Sequence, residues 1–160
     1  MEALRLVRRR LRVAVVGDGP LRDAVRSLAE SLDHSVLLFF KAPEEERRRI
    51  LAQSVYYLLL STAEGFSIST LEAIALGAYP IALASEYNAT VELIKSLECG
   101  TAVSSLREAA EIIESGEVPE PPTSPLFRYH IRSVVDLYET IDDIICSKVY
   151  AGGCVGWWVW

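Results

Sequence analysis

"VYYLLLSTAEGFSISTLEAIALGAYPIALA" runs from Val55 to Ala84 and contains two apolar runs with a helical pattern between them. The runs Val55–Leu60 and Tyr79–Ala84 carry almost no polar residue, as expected of strands buried on both faces of a parallel sheet. The segment between them ends on Gly77, a residue suited to the left-handed turn that closes a helix. Strand, helix and strand in this order form a crossover unit, and such units are right-handed.

The same alternation extends outward. Leu11–Val16, Val36–Phe40 and the weaker Gly100–Ser104 are further strand candidates. "PLRDAVRSLAESL" spaces Leu21, Val25, Leu28 and Leu32 three or four apart, with Pro20 at a first-turn position. "PEEERRRILAQS" places acids before arginines, as the helix dipole favours. "NATVELIKSLECG" and "SSLREAAEIIESG" end on Gly100 and Gly116. The expected fold is α/β, a Rossmann-like doubly wound parallel sheet of at most five strands. It forms a single domain over 1–150, with a leading helix at 1–10, a proline-rich loop at 116–125 and a terminal helix at 126–150. The stretch 151–160, "AGGCVGWWVW", fits neither period, and its tryptophans suit a partner or a peripheral membrane contact as well as a loose terminus.

Composition narrows the function. The 160 residues are 51% apolar and carry a net charge of −6. That charge argues against general nucleic-acid binding, which needs a basic face. Cys99, Cys146 and Cys154 lack metal-ligand spacing, and His34 and His130 are the only histidines, so no metal site is expected. Reduced cysteines, no signal peptide and no run long enough to span a membrane make the cytoplasm the expected location. The basic run Val7–Arg12 is read first as a solvated helix end. "VVGDGPLRD" turns from strand to helix through Gly17 and Gly19 but has Arg22 where a dinucleotide fingerprint needs glycine. A tight turn or a phosphate contact both fit this pair.

The stretch Glu64–Glu72 stands out. Glu64 and Gly65 follow a strand, and ligands of open α/β sheets bind beyond the carboxyl ends of strands. Ser67 or Ser69 can cap the next helix, whose first free amides favour an anion such as a pyrophosphate. A carboxylate on each side matches neighbouring hydroxyls on sugar rings, so a nucleotide-sugar suits the layout. The spacing equally suits a dipole partner at Glu64 and an ordinary helical acid at Glu72.

These residues carry a family likeness. The chain resembles the carboxy-terminal domain of GT-B retaining glycosyltransferases of the group 1 class, whose E-x7-E motif matches Glu64 and Glu72. "VVGDGPLRDAVRSLA" is similar to that family's glycine turn, and "ATVELI" to a later block that places Glu92. The resemblance implies that Glu64, Gly65, Phe66, Ser67 and Ile68 form the donor-sugar site. It also implies that Glu72 holds the ribose diol and that the main chain of Phe40, Lys41 and Ala42 contacts the base. The donor would be a UDP-, GDP- or ADP-sugar, with no cofactor and no bound metal. Three departures accompany the likeness. Met1 falls in what reads as the helix after the family's first strand, whose arginine and lysine neutralise the diphosphate. Lys41 replaces a glycine, and Asn88 and Ala89 replace a glycine pair. The resemblance therefore implies a partner: a separate amino-terminal domain or self-association over an apolar surface.

Overall fold

The computed structural model describes residues 1–65 and 67–118. The second half of the 116–125 loop, the 126–150 helix, the 151–160 tail, and the readings of His130, Cys146 and Cys154 lie outside the described residues.

A short 3-10 helix, Glu2–Leu6, opens the chain. Strands β1 (Arg12–Val16), β2 (Ser35–Phe39), β3 (Tyr56–Leu59), β5 (Tyr79–Leu83) and β7 (Thr101–Val103) match the five expected runs. Two further strands of two residues each were not expected: β4 (Ala63–Glu64) and β6 (Tyr87–Asn88). Helices α1 (Arg22–Glu30), α2 (Glu44–Ala52), α3 (Ile68–Ala75), α4 (Thr90–Ser96) and α5 (Leu106–Ser115) alternate with them. Every strand pair is parallel, and the fold is α/β and Rossmann-like. Among the described residues the ladders form three sets, β1-β2, β3-β5-β7 and β4-β6.

Successive side chains of a strand point to opposite faces, and here they enter two cores. Tyr57, Leu59 and Ala82 pack with Ala73, Val91 and Ile94 of α3 and α4. Tyr56, Leu58, Ile81 and Val103 pack with Ala109, Ala110 and Ile113 of α5 and with Val7. Helices cover both faces of the β3-β5-β7 sheet, which is the doubly wound arrangement. By contrast, Ala14 and Leu37 of β1 and β2 are exposed, so among the described residues one face of those strands is less fully covered than expected.

Three local expectations are corrected. The leading helix shrinks to one 3-10 segment because the amides of Arg8 and Arg9 donate to the Glu114 carboxylate and draw the chain onto α5. The basic run is thus a clasp as much as a solvated end. Pro20 precedes α1 rather than starting it. Helix α4 ends before Gly100, with Glu98 taking the left-handed turn at φ 52. Gly100 serves another purpose. It stands beside Pro80 at φ 125, where a Cβ would come within 2.6 Å of the proline ring and carbonyl. The β7 pairing starts one residue later, at Ile81↔Thr101, so the missing amide of Pro80 interrupts no ladder there.

Candidate functional site

Helix α3 is set by its cap. Ser67 is 2% exposed and accepts hydrogen bonds from the Thr70 amide at 3.4 Å and the Thr70 hydroxyl at 3.0 Å. Ser69 meets the Ser67 hydroxyl at 3.1 Å and the Tyr57 hydroxyl at 2.9 Å. Of the two capping candidates, Ser67 is the cap, and Ser69 ties the helix start to β3. Burial holds the Tyr57 phenol well above its ordinary value, and the Glu64 carboxylate adds to that upward push. Tyr57 is therefore a neutral hydrogen-bonding strut within electrostatic reach of Glu64.

Glu64 sits on β4, half-buried and opposite Asn88 of β6. Its carbonyl accepts from the Ala89 amide at 3.0 Å. Asn88 is 3% exposed and its amide donates to the carbonyl of Leu83 at 2.9 Å, while its oxygen accepts from the Thr90 amide at 3.1 Å. The Ser85 hydroxyl donates to the Thr62 carbonyl. These side chains bridge the break between the β3-β5 ladder and the β4-β6 ladder, and so fix the loop that presents Glu64. Sequence reasoning noticed Asn88 only as a replaced glycine. Its bracing role depends on carbonyls distant in sequence.

Gly65 follows with open space about it: a Cβ there would meet nothing within 4 Å. Phe66 lies outside the described residues. Ile68 begins α3 and Glu72 lies just beyond its first turn, half-buried. The amides at the start of α3 lack intrahelical acceptors by position and carry the positive end of the helix dipole. In the chain, Glu64 precedes this helix start and Glu72 follows it.

The second expected region lies at the ends of β1 and β2. Gly17 continues the pairing through its amide to the Phe39 carbonyl at 3.1 Å. The Asp18 carboxylate accepts from the Gly19 amide at 3.0 Å and from Arg22, and Lys41 approaches it at 3.8 Å. Arg22 and Arg26 lie 4.7 and 5.6 Å from the centre of the Phe40 ring. Lys41 has φ 58, a left-handed conformation that glycine adopts without strain. This accounts physically for the glycine expected at that position. Ala42 is half-buried beside it. His34 donates from Nε2 to the Leu4 carbonyl at 2.8 Å and anchors the first turn of the chain. Among the described residues no cluster of histidine, cysteine or acidic side chains is arranged to hold a metal. None of their helices is long and apolar enough to cross a membrane.

A parallel α/β sheet with helices on its faces defines the class: a Rossmann-like domain. The family model for glycosyl transferases group 1 matches residues 1–117, and the chain belongs to that family. It is also similar to "Putative glycosyltransferase 41" of Sulfolobus islandicus filamentous virus (isolate Iceland/Hveragerdi), 50% identical over 44 residues. That match covers 28% of this chain and 13% of the viral protein's length.

Proposed function

We propose that this domain binds a nucleoside-diphosphate sugar as the donor half of a retaining hexosyltransferase. The observation that carries the reading is the position of Glu64 and Glu72 on either side of the Ser67-capped start of α3. In this reading Glu64 accepts from hydroxyls of the donor sugar and Glu72 from the ribose diol. Amides near Ser67 and Ile68 face the sugar and phosphates, and the backbone at Phe40–Ala42 meets the base. Developing charge on the leaving diphosphate needs cationic partners. Sugar transfer would therefore be completed by an amino-terminal acceptor domain or by a second copy. A cytoplasmic location belongs to the reading, and the free, buried thiol of Cys99 fits a reducing compartment.

One observation favours a second reading, a binding module without turnover. Arg22 and Lys41, beside the Gly17–Gly19 turn, are both engaged by Asp18.

Calorimetric titration tests the first reading. Glu72→Gln should weaken a bare nucleoside diphosphate about tenfold, since a hydrogen bond to a charged group is worth about 1.5–3 kcal/mol. Glu64→Gln should weaken the sugar-bearing donor more than the bare diphosphate. Equal losses for both ligands in both variants, or no loss, would return the two acids to ordinary helix-end roles. Donor binding without turnover in the presence of an acceptor domain would favour the second reading.

A further inference from the structure

Four buried hydroxyls meet at the start of α3. Tyr57 comes from β3, while Ser67, Ser69 and Thr70 come from the cap and first turn of the helix. Burying a hydroxyl costs free energy unless it finds a partner, so the direction of each bond can be counted. Ser67 Oγ has two lone pairs, and it accepts from both the Thr70 amide and the Thr70 hydroxyl. Its acceptor capacity is then filled, and its own proton goes to Ser69 Oγ at 3.1 Å. Ser69 in turn meets the Tyr57 hydroxyl at 2.9 Å. Burial raises the pKa of the phenol, and the hydroxyls of Ser69, Ser67 and Thr70 oppose that rise, so the neutral phenol lies within reach of the whole cluster.

The Ser67 hydroxyl, committed to this chain of bonds, is withheld from a ligand. The helix start offers its main chain instead. The Thr70 amide is capped, whereas the amides of Ile68 and Ser69 lack intrahelical acceptors by position. The other end of the chain of bonds is anchored in the sheet. The Tyr57 ring packs with Leu59, Ala73, Val91 and Ile94, and β3 pairs with β5 in the register Tyr57↔Pro80. The core therefore fixes where the Tyr57 hydroxyl stands. Groups held in this way by packed, hydrogen-bonded supports are preorganised for binding.

We propose that Tyr57 is a positioning residue for the donor diphosphate: its hydroxyl, acting through Ser69 and Ser67, aims the free amides at the start of α3. The proposal rests on the donor reading given above. Tyr57 is buried, so it acts without touching the ligand.

The test is calorimetric titration of the full chain with ADP, GDP and UDP, paired with thermal unfolding of each variant. Tyr57→Phe keeps the ring in the core and removes only the hydroxyl. It should weaken the best-bound nucleotide about fivefold, the scale of coupling between neighbours in one hydrogen-bond network. Ser69→Ala cuts the chain of bonds one link further on and should weaken binding as well. The double variant Tyr57→Phe/Ser69→Ala should bind no more weakly than Ser69→Ala, because the Tyr57 hydroxyl then has nothing left to act through. Ile94→Val thins the same core without removing a hydroxyl. It should lower the melting temperature and leave affinity unchanged. Unchanged affinity in Tyr57→Phe would overturn the proposal and leave the donor reading standing. Losses that add in the double variant, or a matching loss in Ile94→Val, would overturn it too, since Tyr57 would then be an ordinary core residue. If the wild type binds none of the three nucleotides, the donor reading falls and the positioning role falls with it.

Discussion

Two glycines separate backbone demand from ligand demand. Gly100 combines φ 125 with a contact to Pro80 that leaves no room for a Cβ. Gly100→Ala should destabilise the domain by about 2–3 kcal/mol, from backbone strain and overpacking together. Thermal or denaturant unfolding measures this directly, and an unchanged midpoint would show that β7 can move aside. Gly65 has neither constraint. Gly65→Ala should leave stability within about 0.5 kcal/mol, as an unconstrained surface change does. If Gly65 borders the donor sugar, the same variant should weaken donor binding. Cys99 gives a third residue-level expectation. Burial pushes its thiol up to about 12, so thiol-directed reagents at neutral pH should label native Cys99 far more slowly than the unfolded chain.

At the scale of elements, side chains at helix ends make the most informative bonds. Ser67 supplies the cap of α3 and also receives the Thr70 hydroxyl inside a buried network. Ser67→Ala should therefore cost about 1–2 kcal/mol, the upper part of the range for lost caps. Donor affinity should fall with it if the α3 amides hold the diphosphate. At the other end of the fold, Glu114 clasps the amides of Arg9 and Arg8, and these bonds hold its carboxyl below the ordinary value of 4.5. The sign follows from the lowered folded value. The clasp contributes fully above the unfolded carboxyl's titration and is lost as pH falls through the folded one. The difference in melting temperature between the wild type and Glu114→Gln should be constant near neutrality and vanish in the acid range. A difference that persists unchanged through acid would mean that the carboxylate's charge plays no part.

Across the whole molecule, the loop presenting Glu64 is held by a residue that touches neither acid's side chain in the observed hydrogen bonds. Asn88 joins Leu83 to Thr90 from a buried position. Asn88→Ala should cost about 1–3 kcal/mol by leaving buried backbone groups without partners. If Glu64 holds the donor sugar, the same variant should also lower donor affinity, because Ala89 bonds the Glu64 carbonyl. Unchanged binding in a destabilised variant would confine Asn88 to folding.

Local pattern sufficed for much of this protein. The five main strands and the five helices that alternate with them follow from apolar runs and helical spacing, since burial on a sheet or a helix face imposes its period on neighbouring residues. The E-x7-E spacing alone put Glu64 just ahead of α3 and Glu72 within it, because eight residues span only a turn and a short stretch of helix. What the sequence left open depended on partners distant along the chain. Ser67 rather than Ser69 caps α3, while Ser69 sits inside the helix and bonds the Tyr57 hydroxyl of β3. The short strands β4 and β6 exist through each other and through the bridges made by Ser85 and Asn88. Gly100 is required by Pro80, and the first turn of the chain is bent by Glu114, more than a hundred residues away. Periodicity is a property of neighbours in sequence, whereas a hydrogen bond or a steric contact needs its partner in space, and only the folded chain supplies that partner.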